Sequence, residues 1–248
     1  MLTKQRQSAI LTQLHENGSV TLQDLCARFG ASESTIRRDL NDLDQQGKLT
    51  KVFGGAVLNG NEVNAVEKKV AERLALHKSE KETIACFAAT LIEPGDFVYI
   101  DAGTTTGAMI PHLKEKTAVY VTNAVSHGLL LSSKNFRVIL IGGELKSSTE
   151  AIVGSDALTA LRKFNFTKGF FGTNALSPES GFTTPDTNEA LVKETALYKS
   201  AKAFVLTDSS KFGKICPVKF GDFEDATIIT DACPKNLLKK YKNIELAV

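Results

Sequence analysis

The chain has 248 residues, 42% of them hydrophobic and 23% charged, with a formal net charge of +2. This is the composition of an ordinary globular protein with room for a small module and one larger domain, and the near-neutral balance excludes a general polyanion binder. Cys26, Cys86, Cys216 and Cys233 show no C-x-x-C spacing, and His15, His77, His112 and His127 do not pair at ligand spacing, so neither a metal site nor a cofactor is expected. No signal peptide and no apolar run of ~18 residues is present, which implies a cytoplasmic protein with no membrane partner.

The first informative stretch is Thr21 to Leu40, TLQDLCARFGASESTIRRDL. It reads as two short helices broken at Gly30-Ala31. Thr21 and Asp24 have capping-box spacing, and Ser32 is an N-cap for the second helix. Leu22, Leu25, Cys26 and Phe29 form one apolar stripe; Ile36, Leu40 and Leu43 form another. Opposite the second stripe stand Ser34, Arg37, Arg38 and Asn41, side chains suited to phosphate oxygens and base edges. The spacing predicts a helix-turn-helix with Ser32–Gln46 as recognition helix. Ser34, Thr35 and Arg38 would read bases or adjoining phosphates, and Arg37 would anchor backbone.

Gly47 ends that helix, and LTKVF, Gly54-Gly55 and AVL follow as a tight hairpin, a wing with Lys51 near its tip. The nucleic-acid set is therefore Ser32, Ser34, Thr35, Arg37, Arg38, Asn41 and Lys51. Met1–Leu58 holds seven Lys or Arg against six Asp or Glu. Nonspecific affinity for double-stranded DNA is then modest and salt-dependent, and specific binding calls for a homo-oligomer, a dimer or a tetramer. The expected boundaries are 1–58 for the winged module, 59–76 for a polar linker helix and 77–248 for a second domain.

From His77 onward apolar strands alternate with helices. Strands are expected at Phe97–Asp101, Val119–Thr122, Val138–Ile141, Gly169–Phe171, Ala203–Thr207, Thr227–Thr230 and Ile244–Val248. Helices are expected at Glu80–Ile92, Thr106–Leu113, Ser155–Lys163 and Asn188–Ser200. The fold class is α/β, with a largely parallel sheet covered on both faces. Ligands of such sheets bind at the carboxyl ends of the strands. Asp101-Ala-Gly103-Thr104-Thr105-Thr106 reads as a phosphate cradle, because glycine allows close approach and hydroxyls donate. Thr122-Asn123, Gly143-Glu144 and Thr173-Asn174 end further strands. Asp208 is placed to accept sugar hydroxyls and Lys211 to supply a charge to phosphate.

Arg6 followed by Ile10, then Ser32-x-x-Thr35-Ile36-Arg37-Arg38-Asp39-Leu40, resembles the signature of the DeoR-type bacterial transcriptional regulators. The wing KVFGGA is similar to that family's wing, with Lys51 and Phe53 replacing commoner residues. DAGTTT and GFTTPD resemble the family's sensor domain, whose fold is similar to ribose-5-phosphate isomerase and glucosamine-6-phosphate deaminase. The resemblance implies a regulator, in most cases a repressor, released by a phosphorylated sugar. It also implies Asp101–Thr106 as phosphate loop, with Asp208 and Lys211 as effector contacts. The wording is most similar to fructose-operon repressors, which implies a fructose phosphate.

The competing class is a sugar-phosphate isomerase or deaminase, for which Asp101, Glu144, Asp186, Glu189 and Lys211 are titratable candidates. Related deaminases carry a catalytic Asp where this chain has Asn174. An amide cannot act as a base, so the expectation is a regulator without turnover.

Overall fold

The structure is a computed structural model that describes residues 3–17, 19–52, 54–58 and 70–247. Phe53 of the expected wing and the 59–69 part of the expected linker at 59–76 lie outside these residues.

The N-terminal unit comprises α1 (Thr3–Asn17), β1 (Ser19–Thr21), α2 (Leu22–Phe29), α3 (Glu33–Gln45), β2 (Leu49–Val52) and β3 (Gly55–Leu58). The Thr21 hydroxyl accepts the Asp24 amide at 3.1 Å, and Ser32 caps α3 by accepting the Thr35 amide at 3.3 Å. Between the helices Gly30 adopts φ 57°, the left-handed conformation that lets the chain turn sharply. Leu22 and Leu25 of α2 and Ile36, Leu40 and Leu43 of α3 are buried with Ile10 and Leu14 of α1. Each such side chain contributes about 1.5–3 kcal/mol by leaving water. The wing is a three-stranded antiparallel sheet in the order β1-β3-β2. Its first strand is too short to stand out in the sequence.

The remaining elements begin with α4 (Val70–Ala75), α5 (Lys78–Ala89), β4 (Phe97–Ile100), α6 (Thr104–Ala108), β5 (Val119–Thr122), α7 (Val125–Ser133) and β6 (Arg137–Leu140). The hairpin β7 (Glu144–Lys146) and β8 (Ala151–Val153) follows, then α8 (Ser155–Leu161), β9 (Phe166–Gly172), β10 (Ala175–Ser177), β11 (Gly181–Thr184) and α9 (Thr187–Tyr198). Last come β12 (Ser200–Leu206), β13 (Val218–Gly221), β14 (Thr227–Thr230), α10 (Lys235–Lys240) and β15 (Ile244–Leu246). The helix expected over Thr106–Leu113 starts at Thr104 and gives way to a 3-10 turn at Ile110–His112, where Pro111 supplies no amide.

Among the described residues, seven strands form one sheet in the order β15-β14-β12-β9-β4-β5-β6, and every pairing is parallel. Successive strand residues alternate between two cores, as the twofold period demands. Val98, Ile100, Phe170 and Leu206 pack with α5, the 3-10 turn and α7. Tyr99, Phe171 and Val205 pack with α8 and α9 on the other face. Both faces are covered, which is why these strands read as unbroken apolar runs. β10, β11 and β13 form a separate antiparallel sheet beside the carboxyl ends of the main one.

Candidate nucleic-acid interface and anion cavity

Ser34, Arg37, Arg38 and Asn41 are exposed at i, i+3, i+4 and i+7 of α3, opposite buried Ile36, Leu40 and Leu43. The face is polar and carries two guanidinium groups. Arg37 Nη2 lies 3.2 Å from Glu33 Oε2, an exposed i,i+4 pair worth no more than ~0.5 kcal/mol and easily exchanged for a phosphate. The Ser32 hydroxyl is also 2.9 Å from those of Ser34 and Thr35, so Ser32 and Thr35 help to organise the first turn. Lys51 is not an isolated finger at the wing tip. Its Nζ donates to Asn41 Oδ1 at 2.7 Å and its amide to Asp44 Oδ1 at 3.0 Å, which fastens β2 against α3.

The second site is a cavity of about 230 Å³ at the carboxyl ends of β4, β9 and β12. It lies at the small end of ligand cavities, which usually run to roughly 300–1,000 Å³, so it favours a compact ligand. Gly103, Thr104, Thr105, Thr173, Asn174, Asp208 and Lys211 all line it, so three separated loops do converge on one rim.

Six other sequence candidates lie outside the lining. Asp101 is 1% exposed and sits behind the lining, where its Oδ2 accepts the Gly172 amide at 3.0 Å and a short hydrogen bond from Lys193 Nζ. The Thr106 hydroxyl is spent within its own turn, donating to Asp101 O at 2.6 Å and accepting the Gly103 amide at 3.0 Å. Thr122 is buried, with its hydroxyl accepting the Ala124 amide at 3.1 Å. Asn123 is a buried clamp: Oδ1 accepts Tyr99 Oη and the Ala102 amide, and Nδ2 donates to Ile152 O. Gly143 and Glu144 follow β6, the edge strand two places from β4, and Glu144 is exposed on β7.

Glu189 of α9, a titratable candidate of the enzyme reading, also lines it, and residues not singled out from sequence complete the wall: Arg73, Leu76 and His77 beside α4, Lys81 of α5, Lys193 of α9, and Lys214. Arg73, Lys81, Lys193, Lys211 and Lys214 thus face Asp208 and Glu189. Lys193 is satisfied by Asp101 and by Gly172 O at 3.1 Å. Glu189 Oε1 accepts the Thr149 hydroxyl at 2.5 Å and Lys146 Nζ at 3.2 Å. The rest carry an excess of positive charge. Burial, then the neighbouring Lys211 charge, pushes the Lys81 ammonium down to about 8. Burial also lowers Lys211, against the pull of Asp208. For Asp208 burial works upward, but Lys211 and the Ser210 hydroxyl outweigh it and hold the carboxyl below its usual range. Asp208 is 1% exposed, and among the described residues its Oδ2 has no hydrogen-bond partner, although Lys211 Nζ stands 3.6 Å away. A buried acceptor beside surplus cations suits a ligand carrying both hydroxyls and an oxyanion.

Elsewhere, His112 lies between Glu82 and Cys86, a grouping its sequence spacing conceals. Nε2 meets Glu82 at 2.6 Å and Nδ1 meets Cys86 Sγ at 3.4 Å, so the two partners use different ring nitrogens and do not converge on one ion as placed. No helix among the described residues is long and apolar enough to cross a membrane.

Residues 6–62 match the DeoR-like helix-turn-helix domain, and residues 76–232 match the DeoR C terminal sensor domain. An uncharacterized HTH-type transcriptional regulator of Bacillus subtilis (strain 168), FruR, is 43% identical over 98% of this chain and 96% of its own length. A putative aga operon transcriptional repressor of Escherichia coli O157:H7 is 31% identical, covering 99% and 93%. A lactose phosphotransferase system repressor of Streptococcus mutans serotype c is 32% identical, covering 97% and 96%. Among solved structures, ribose 5-phosphate isomerase A of Methanocaldococcus jannaschii overlaps with a TM-score of 0.42 and 14% identity, covering 54% of each chain. That overlap is too slight to bear on chemistry. With its helix-turn-helix unit and its parallel-sheet domain both matched by the same family, this chain belongs to the DeoR family of DNA-binding transcriptional regulators.

Proposed function

We propose that the chain represses a sugar-utilisation operon of the fructose type and leaves its operator when a phosphorylated sugar, a fructose phosphate for preference, enters the cavity. One observation carries this reading: the Asp208 carboxylate, ionised and without a hydrogen bond at Oδ2 among the described residues, stands beside Lys211 and Lys81 in one small cavity. Asp208 would accept sugar hydroxyls, and Lys211 with the Gly103–Thr105 segment would hold the phosphate. Names of relatives that include an aga operon repressor and a lactose phosphotransferase system repressor support a sugar-linked role. Dimers or tetramers would set paired α3 helices in successive major grooves, and the ligand would favour one arrangement of the sensor domains. Coupling of ~1–3 kcal/mol between the two sites suffices for such a switch.

Turnover forms no part of this reading. Asn174 is an amide whose Oδ1 accepts the Thr184 hydroxyl at 3.1 Å. The test is a thermal-shift screen of the full chain against sugar phosphates, followed by operator release on a gel. A ligand at ~100 times its dissociation constant raises stability by roughly 2.7 kcal/mol. No shift with any sugar phosphate overturns the effector reading; conversion of the ligand to product overturns the regulator-only reading.

A further inference from the structure

The cluster of Glu82, Cys86 and His112 belongs to neither site described above. Glu82 and Cys86 stand four residues apart on α5, so both project from its exposed face while Ile84, Ala85 and Ala88 are buried. His112 ends the 3-10 turn, where its amide donates to Met109 O at 2.9 Å; Met109 and Ile110 are fully buried, which anchors the turn. The imidazole meets Cys86 Sγ at 3.4 Å through Nδ1 and Glu82 Oε1 at 2.6 Å through Nε2. Of the four free cysteines, Cys216 is buried, Cys26 and Cys233 are half-buried, and Cys86 is exposed.

These partners fix which ring nitrogen carries the proton. An ionised carboxylate only accepts hydrogen bonds, so Nε2 is the donor to Glu82. The neutral ring then turns its Nδ1 lone pair toward Cys86, whose S–H is the donor that fits it. Thiol, imidazole and carboxylate therefore stand in the order that activates a sulfur nucleophile: the ring takes the thiol proton, and the carboxylate steadies the resulting imidazolium. The sulfur itself is open to solvent, where a small reagent can reach it.

We propose that Cys86 is a peroxide-reactive modification site, with His112 as its base and Glu82 as the residue that positions the base. His112 Nδ1 takes the thiol proton, and the thiolate attacks one oxygen of hydrogen peroxide. The S–O bond forms as the O–O bond breaks, and the leaving hydroxide recovers the proton from the imidazolium as water. Sulfur gives up two electrons to become a sulfenic acid, and the peroxide is reduced. Condensation with a low-molecular-weight thiol then releases water and leaves a mixed disulfide. That product has no proton to give Nδ1, so the tie between α5 and the 3-10 turn is lost. No part of this rests on the effector reading.

The test treats the reduced full-length chain with hydrogen peroxide at neutral pH, traps sulfenic acid with dimedone and follows each cysteine by peptide mass spectrometry. Wild-type Cys86 should be oxidised about tenfold or more faster than the same residue in the urea-unfolded chain, although unfolding exposes it fully. His112→Gln should bring the rate down to the unfolded value, and Glu82→Gln should fall between. Half-buried Cys233 keeps its rate in all three chains and serves as the internal clock. A merely structural histidine predicts the opposite sign, because loosening the turn frees the sulfur to react faster. A rate in His112→Gln equal to wild type or above it overturns the proposal. Should that variant melt early, Glu82→Gln decides instead, since its side chain is 58% exposed: an unchanged rate there overturns the proposal, and a slower one upholds it.

Discussion

Arg6 and Asp39 join the first helix to the middle of the recognition helix, with Nε 2.5 Å from Oδ2 and Nη2 3.2 Å from Oδ1, and Asp39 only 2% exposed. The pair sets the angle at which α3 presents Arg37 and Arg38. Arg6→Ala leaves a buried carboxylate alone and should cost about 3–5 kcal/mol in the N-terminal unit. Scanning calorimetry should show that unit melting earlier while the sensor transition stays put. The double exchange Arg6→Met with Asp39→Leu should recover most of the loss, because it strands no charge.

Arg38→Ala should weaken operator binding by ~1–3 kcal/mol if Arg38 pairs with a guanine, and leave ligand binding unchanged. Arg37→Ala should instead weaken all DNA evenly and reduce the salt slope by about one. Operator titrations at several salt concentrations separate the two. Unaltered affinity in both variants would remove α3 from the interface.

Lys211 reaches Thr173 O at 2.9 Å and stands over Asp208. Lys211→Ala and Asp208→Asn should each abolish operator release by sugar phosphate while keeping operator affinity. A normal response in a gel shift would take that residue out of the effector site.

Lys81 gives the cavity a pH dependence. Its ammonium is held at about 8 by burial first, then by Lys211 and Arg73, against Asp208 and Glu80. A bound oxyanion favours the charged form, so binding should take up a proton near pH 8. Affinity should be flat below that pH, where Lys81 is already charged, and fall as pH rises through about 8. Calorimetry in two buffers of different ionisation enthalpy reads the uptake, and Lys81→Met should diminish it. Affinity constant from about pH 6.5 to about 9.5 would contradict this assignment.

His127 on α7 is pushed down to about 4 by burial, and its Nδ1 has no hydrogen-bond partner among the described residues. The unfolded chain takes up this proton near pH 6.5 and the folded one resists until about 4. Stability from this group is therefore complete above pH 6.5 and lost between 6.5 and about 4, to a total of about 3 kcal/mol. His127→Leu should flatten that part of a denaturation-versus-pH curve. A methyl group on Gly107 would sit 2.5 Å from His127 Nε2, so Gly107→Ala should destabilise by about 1–3 kcal/mol at neutral pH.

The recognition helix is legible in sequence because Ile36, Leu40 and Leu43 keep one stripe while Ser34, Arg37, Arg38 and Asn41 share the opposite face. The parallel strands are legible because burial on both sides leaves no polar alternation. β10 and β11 are not: Ala175–Ser177 and Gly181–Thr184 are small, hydroxyl-rich segments that read as turns. α7 is hidden for the opposite reason, its run of leucines showing no polar period. Within the site, the glycine- and threonine-rich loops are visible but their division of labour is not. Whether Asn123 or Thr122 faces a cavity or a neighbouring backbone depends on the adjacent strand. The helical cations did leave a sign. Lys81 is in step with buried Ile84, Ala85 and Ala88, and Lys193 with Glu189, Ala196 and Leu197. A charge in register with an apolar stripe points to a buried partner or ligand rather than to solvent.

The buried pair of Asp101 and Lys193, whose lysine lines the cavity, has a consequence for which positions tolerate change. Each charge exists on condition of the other, so a change at either alone leaves its mate stranded at a cost of about 3–5 kcal/mol, a large share of a domain's margin. New ligand preferences are thereby channelled away from the foundation and toward half-exposed positions such as Asn174 and Ser210, where one exchange at a time is survivable.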